Sequence, residues 1–123
     1  MPYKTEINPV ITTLCRNTDF RRIYHRGKFK AIGPVVTYIT KGRNVDGVRY
    51  GITASKKVGN SPARSRARRV ITAAFREILK TSKFPPCDIV FVARPGIETK
   101  KSTDIEKILR RQFTDIFPMV YKR

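Results

Sequence analysis

A run of basic side chains is the first feature that could carry chemistry. Between Lys56 and Arg69 lie six basic residues and no acidic residue: Lys56, Lys57, Arg64, Arg66, Arg68 and Arg69. The four arginines fall in the first two turns of a predicted helix, where the helix dipole favours acidic side chains instead. Arg64 and Arg68 are also like charges four positions apart, which destabilises a helix. A solvated basic face gives no reason for this placement.

A phosphate ligand does explain the placement. A helix start presents free N–H groups, and arginine side chains bind phosphate through two parallel hydrogen bonds. Gly59 and Asn60 precede the helix, and a glycine there lets a ligand approach the backbone closely. The segment therefore predicts a phosphate-binding surface.

A second candidate surface carries aromatic side chains. Phe20 and Tyr24 lie one helical turn apart, and Tyr38 lies in a predicted strand. Basic residues surround the first two, with only Asp19 opposing them: Arg16, Arg21, Arg22, Arg26, Lys28 and Lys30. Aromatic rings flanked by cations hold single-stranded nucleic acid without reading its sequence. The alternative is that the three rings belong to an ordinary core.

Residues that could perform acid–base or metal chemistry are few. The chain has one histidine and nine acidic residues, and the closest acidic pair, Asp104 and Glu106, diverges on a predicted helix. Asp88 opens an apolar strand, where we expect it to form a strand-end hydrogen bond. Cys15 and Cys87 lack the spacing of a zinc site or a disulfide framework, so we expect buried reduced thiols. The sequence predicts neither catalytic residues nor a metal site on the protein.

The overall charge indicates a polyanionic partner. The 123 residues include 27 Lys and Arg against 9 Asp and Glu, a net charge of +18. This imbalance destabilises the compact state unless a partner neutralises it, and nucleic acid is the leading candidate. An anionic membrane surface is the rival, but the longest apolar run, Ile89 to Ala93, is far shorter than the ~20 residues of a spanning helix. The start of the chain lacks a secretory signal pattern, so we place the protein in the cytoplasm.

Apolar residues recur at helical spacing in three segments, which we predict to be helices: 17–26, 61–80 and 103–117. Ser61 is the predicted N-cap of the second helix, with Pro62 at its first helical position. Thr103 and Glu106 form a predicted capping box at the start of the third helix.

Strand signals separate these helices. Strands are predicted over 29–32, 35–40, 48–54 and 88–93, the first more weakly than the others. Lys41 to Gly47 is the predicted turn between the second and third strands. The fourth is apolar on both faces, which is typical of a central strand. The sequence thus predicts one α+β domain over residues 1–123, with an ordered core at about 14–117.

The basic segment has the sequence Lys56-Lys57-Val58-Gly59-Asn60, followed by Arg64-x-Arg66-x-Arg68-Arg69 at the start of a helix. Further motifs lie around it: Asp19-Phe20 with Tyr24, Gly51-Ile52-Thr53-Ala54-Ser55, Ala74-Phe75-Arg76-Glu77, and Asp88 to Arg94 with Pro95. In this order, over residues 14–117, they resemble the bacterial ribonuclease P protein component. Where that family has Arg-Asn-Arg, this chain has Arg64-Ser65-Arg66 and so lacks the central amide.

The resemblance implies a fold and a role. The fold is an α-β-β-β-α-β-α sandwich of the ribosomal-protein domain-2-like type, with a left-handed crossover around the basic helix. The role is that of the small subunit of a ribonucleoprotein endonuclease, ribonuclease P, which removes the 5′ leader of precursor tRNA. In that family the large RNA performs the cut and mainly holds the Mg²⁺ ions. The expected partners are therefore this catalytic RNA subunit and precursor tRNA.

The resemblance also assigns residues to two surfaces. The residues implied in binding the RNA subunit are Lys56, Lys57, Asn60, Arg64, Arg66, Arg68 and Arg69. The residues implied in a cleft for the precursor leader are Phe20, Tyr24, Tyr38 and Arg21.

Two other classes share the size and basic charge. A structural ribosomal or RNA-chaperone protein is the main alternative, and a pairing of a basic helix start with a separate aromatic cleft distinguishes our leading hypothesis from it. A DNA-binding domain would need a helix free to enter a major groove. The apolar stripe along 63–79 shows only that one face of that helix is docked.

The basic segment predicts salt-dependent binding to the large RNA. If about 6 to 8 phosphates are neutralised, log K should fall with log salt at a slope of roughly −4 to −7. Filter binding or anisotropy over a salt series measures this slope. A slope near zero would contradict a phosphate-binding role for the helix start.

Overall fold

The computed structural model describes residues 10–13, 17–42 and 47–121, which form one sheet with helices on both faces. The elements in chain order are β1 (Val10–Thr13), α1 (Asn17–Arg26), β2 (Lys28–Ile32), β3 (Val35–Lys41), β4 (Gly47–Ala54), α2 (Ser61–Thr81), β5 (Cys87–Ala93) and α3 (Ser102–Val120). The predicted α+β class and the order of its helices and strands are confirmed. Strand β1 was not predicted, because four residues carry too little periodicity.

The sheet has five strands in the order β1-β4-β5-β3-β2. β4 is parallel to β1 and β5, whereas β3 is antiparallel to β5 and β2. The prediction that β5 is central is confirmed. β3 and β4 do not form a hairpin across the predicted turn at 41–47, since β5 lies between them, and residues 43–46 are outside the described residues. α2 is the crossover from β4 to β5, and its left-handed sense stays a prediction.

The main core lies between the sheet and the pair α2 and α3. Phe75 of α2 is at its centre, with ring centroids 5.2 Å from Tyr50, 5.7 Å from Phe84 and 5.1 Å from Phe91. Aromatic edge-to-face packing of this kind adds to the free energy gained by burying the rings. This face of the sheet is therefore closed.

A buried amide attaches α3 to the hairpin of β2 and β3. Gln112 accepts a hydrogen bond from Thr37 Oγ1 at 2.6 Å. Its Nε2 donates to the carbonyl oxygens of Lys30 and Val35, at 3.0 and 2.9 Å. These bonds hold the otherwise exposed edge strand β2 against α3.

The N-cap of α2 differs from the prediction. Asn60 is the cap, since its side chain accepts a hydrogen bond from the backbone N–H of Ala63 at 3.0 Å. Ser61 and Pro62 therefore occupy the first two helical positions. The backbone of Asn60 is extended, with φ −73° and ψ −179°, as a cap requires. Proline is tolerated at either position, so its presence did not identify the cap.

The predicted capping box of α3 is also wrong. The helix starts at Ser102, and the backbone N–H of Lys101 donates to the Asp104 carboxylate at 3.0 Å. Glu106 instead accepts from Nε of Arg110, one turn later, at 3.0 Å.

Candidate nucleic-acid interface

α1 packs on the face of the sheet opposite the main core that α2 and α3 cover. It is ten residues long and contacts β3 and β5. Ile23 is fully buried against Val90, with Phe20, Tyr38 and Val92 packed around them. So short a helix leaves the neighbouring strand β2 uncovered on this face.

A buried carboxylate fixes α1 to the sheet. Asp88, at the start of β5, is 1% exposed and accepts two hydrogen bonds from Arg49 of β4, from Nε at 2.9 Å and from Nη2 at 2.7 Å. Arg22 of α1 donates from Nη2 to the same carboxylate and from Nη1 to Thr40 Oγ1. The predicted strand-end role of Asp88 is confirmed, and the sequence analysis missed both of its arginine partners.

A second acid balances this cluster. Asp19 Oδ1 lies 3.7 Å from Nη2 of both Arg22 and Arg49, so two carboxylates face two guanidiniums. The hydrogen bonds to Asp88 raise the pKa of Arg49 above its usual value, against a smaller opposing effect of burial. The cluster is thus a structural ion network, in which both oxygens of Asp88 accept hydrogen bonds from arginine.

Four aromatic rings form a continuous surface on the open face. We call Phe20, Tyr24, Tyr38 and Phe29 the aromatic row. Successive ring centroids are 6.4, 5.0 and 5.3 Å apart in this order. Tyr24 is 39% exposed and Phe29 57% exposed, whereas Phe20 and Tyr38 are half-buried. The structure brings the three predicted aromatic residues together and adds a fourth.

Phe29 was missed because it lies in the weakest predicted strand. A usable signal was present in the sequence, since Gly33 and Pro34 are turn residues between two strand segments. The resulting hairpin pairs Phe29 with Tyr38, which puts both side chains on the same face. Gly33 has φ +56°, the left-handed conformation that the tight turn requires.

Arg21 lies beside the aromatic row rather than within it. Its side chain is exposed on α1 and lines a shallow depression with Thr18 and His25. No ring of the row lines that depression. Arg21 therefore lies outside the surface that the four rings form.

The predicted basic residues at the start of α2 divide by exposure. Lys56, Lys57, Arg68 and Arg69 are exposed, whereas Arg64 and Arg66 are half-buried. Arg64 donates to Ser61 Oγ at 3.0 Å, within its own helix. Arg66 donates to the carbonyl oxygen of Lys100 at 3.0 Å and so connects α2 to the segment before α3.

A tight turn presents the two lysines. The N–H of Val58 donates to the carbonyl of Ser55, and the N–H of Gly59 donates to that of Lys56. The side chain of Val58 is buried and anchors the turn. Gly59 has φ +147°, and a Cβ atom there would lie 2.9 Å from Cβ of Ala63, so only glycine fits.

The two surfaces are joined by the end of β4. The hydroxyl of Tyr24 lies 3.4 Å from Oγ1 of Thr53. Thr53 is followed three residues later by Lys56, where the basic turn begins. The Tyr24 contact therefore places the aromatic row beside the strand that leads into the basic start of α2.

Groups suited to metal binding are absent from the part of the chain that the structure describes. It contains no group of three or more His, Cys, Asp or Glu side chains that could hold a metal ion. Cys87 is a buried free cysteine, as predicted, and burial raises the pKa of its thiol. Cys15 and Arg16 lie outside the described residues. No described helix is long and apolar enough to span a bilayer.

Comparison with known sequences gives one consistent result. The family model for Ribonuclease P matches residues 9–116. The ribonuclease P protein component of Clostridium novyi is 44% identical over 92 residues, which cover 74% of this chain and 80% of that protein. The corresponding protein of Clostridioides difficile is 39% identical and covers 79% and 84%.

Solved structures show the same similarity in three dimensions. The RNase P protein of Staphylococcus aureus matches with a TM-score of 0.73 and 29% identity, covering 85% of this chain and 96% of that one. The RNase P protein of Thermotoga maritima matches with a TM-score of 0.69, 22% identity and coverage of 80% and 92%. At that identity the second match supports the fold alone.

The ion network predicts a large effect of Asp88→Asn. The neutral amide would leave two partly desolvated guanidiniums without their closest counter-charge, so we expect the free energy of unfolding to fall by about 3 kcal/mol. Urea denaturation measures this change. Asp115→Asn is the matched control, because Asp115 is half-buried and its partners Lys30 and Arg111 are exposed, so its ion pairs should contribute less than about 1 kcal/mol. Equal, small effects of the two variants would contradict a structural role for Asp88.

Proposed function

Because the chain belongs to the ribonuclease P protein family, whose members are components of an endoribonuclease complex in tRNA processing, we propose that this chain is the protein subunit of ribonuclease P. In this proposal it binds the catalytic RNA subunit through the start of α2. It binds the 5′ leader of precursor tRNA along the aromatic row, and so assists removal of the leader. The RNA subunit carries out the cleavage.

The single observation that supports this assignment most strongly is the aromatic row. Its rings lie on a face that α1 leaves open, and two of them are substantially exposed. Exposed rings are sequence-tolerant platforms, since every base has a π face. A precursor leader has no fixed sequence to read by hydrogen bonds, so stacking suits it as a ligand.

The start of α2 supports the second contact. Its exposed cations lie on a rigid turn and the first helical turns, with the helix dipole adding positive potential. The Asn60 side chain accepts a hydrogen bond from a backbone N–H group as the helix cap, and Arg66 donates to the carbonyl oxygen of Lys100. Both residues therefore have structural roles as well. Lys56, Lys57, Arg64, Arg68 and Arg69 carry most of the proposed phosphate binding.

The chemistry of cleavage is assigned to the RNA with its Mg²⁺ ions. The described residues hold no acidic cluster suited to Mg²⁺, and the most buried acid, Asp88, is engaged by two arginines. Mg²⁺ activates water and stabilises developing charge in phosphoryl transfer. The protein's own residues bind and orient the substrate.

Arginine variants at the start of α2 test the RNA-subunit contact. In the double variant Arg64→Ala/Arg68→Ala, two phosphate contacts are removed. We therefore expect the slope of log K for RNA binding against log salt to become less negative by about 2. The melting temperature should not fall, since neither arginine bonds to another element. Arg76→Ala is the control, as Arg76 is exposed on the same helix but beyond its first turns. Unchanged affinity and slope in the double variant would exclude α2 as the contact.

Tyrosine variants test leader binding in the holoenzyme, reconstituted with a ribonuclease P RNA at low magnesium. Tyr24→Ala or Tyr38→Ala should weaken binding of precursor tRNA by ~1 to 3 kcal/mol, a factor of roughly 5 to 150. Mature tRNA should bind as it does to the parent, and Tyr→Phe variants should retain affinity because the ring remains.

Equal losses for precursor and mature tRNA would contradict a leader site. Failure of the parent protein to promote leader removal would favour the alternative of a structural ribosomal or RNA-chaperone protein.

A further inference from the structure

Phe29 is a large apolar side chain in an unusual position. It lies in β2, the last strand of the sheet, and is 57% exposed. Its neighbours Lys28, Lys30 and Ala31 are exposed as well, so no core forms around it. An exposed aromatic residue on an edge strand favours unwanted strand pairing, which proteins usually avoid. The position therefore suggests a ligand.

The geometry makes Phe29 the end of the aromatic row. It pairs directly with Tyr38 across the hairpin, with ring centroids 5.3 Å apart and ring planes inclined by 31°. Tyr38 in turn meets Tyr24 edge-to-face at 5.0 Å. One side of the Phe29 ring is thus supported, and the exposed remainder can cover a base.

Positive charge lies at the edge strand that carries this end of the row. Lys28 and Lys30 precede and follow Phe29, and because alternate residues of a strand face opposite sides, their side chains leave β2 on the face opposite the ring. Lys28 lines a depression at the end of α1 with Arg26 and Lys41. None of the described acids forms an ion pair with Lys28, Arg26 or Lys41, whereas Lys30 reaches Asp115 at 3.5 Å. The cations at this edge of the sheet give it a positive potential, which suits the backbone phosphates of a strand whose base covers the ring.

We infer that Phe29 stacks on an unpaired leader base that lies farther from the cleavage site than the bases held by Tyr24 and Tyr38. The inference rests on the proposed function. The order follows from the fold, because Tyr24 contacts β4 at Thr53, next to the turn that carries the RNA-binding lysines. Tyr38 lies between Tyr24 and Phe29 in the row, so Phe29 is farther from that contact than either tyrosine. The leader leaves the RNA subunit near Tyr24 and crosses β3 to reach β2.

A leader-length series in the reconstituted holoenzyme tests the inference. Precursor tRNAs are shortened from the 5′ end by one nucleotide at a time, and their affinities are measured for the parent, Phe29→Ala and Tyr38→Ala. On the longest leader, Phe29→Ala should bind about fivefold or more weakly than the parent. As the leader shortens, this difference should vanish while the Tyr38→Ala difference persists.

Two further variants separate stacking from other roles. Phe29→Tyr keeps the ring and should retain affinity, whereas Phe29→Leu keeps an apolar side chain without the ring and should lose it.

Several results would overturn the inference and leave the proposed function standing. One is an unchanged affinity of Phe29→Ala for precursor tRNA at every leader length. Another is an affinity loss in Phe29→Ala that persists on short leaders after the loss in Tyr38→Ala has vanished. A third is a changed oligomeric state of Phe29→Ala with normal leader binding. If Tyr24→Ala and Tyr38→Ala also bind every leader normally, the proposed leader site itself fails.

Discussion

Asp88 lies almost fully buried at the start of β5, and its carboxylate is shared by guanidiniums from α1 and β4. Burying a charge is costly unless it is paired and hydrogen-bonded. Here the pairing joins three elements that are distant in sequence, and Ile23 adds the apolar contact that brings α1 down on β5. The position of α1 follows from this contact. Since Phe20 and Tyr24 are on α1 and Tyr38 is on the sheet, the aromatic row exists only when α1 is docked in this way.

The sheet has different tasks on its two faces. On one face, α2 and α3 close over a core of large aromatic and branched side chains, and Gln112 fastens α3 to the hairpin of β2 and β3. The stability of the domain comes mainly from this face. The other face can therefore stay partly open and keep aromatic rings exposed to solvent. The domain does not depend on burying those rings for its stability.

The basic start of α2 combines structural requirements with those of the proposed RNA binding. Positive side chains are unfavourable at the positive end of a helix dipole. A neutral cap, Asn60, satisfies one backbone donor there without adding charge, and Arg66 is used to hold the segment before α3. The remaining exposed cations have no structural use in the described part of the chain. The protein has a net charge of +18, and binding a polyanion would relieve the repulsion among its basic side chains.

The sequence alone determined the identity and order of most elements, because periodicity is a local property. It also identified the basic segment, and Phe20, Tyr24 and Tyr38 as candidates, since charge and spacing are visible along the chain. Tertiary structure decided what depends on distant partners. It placed β5 between β3 and β4, joined Arg22 and Arg49 at Asp88, and paired Phe29 with Tyr38. It also selected Asn60 over Ser61 as the cap, because capping depends on backbone angles. Pairing and packing depend on the whole chain at once, and local patterns do not contain that information.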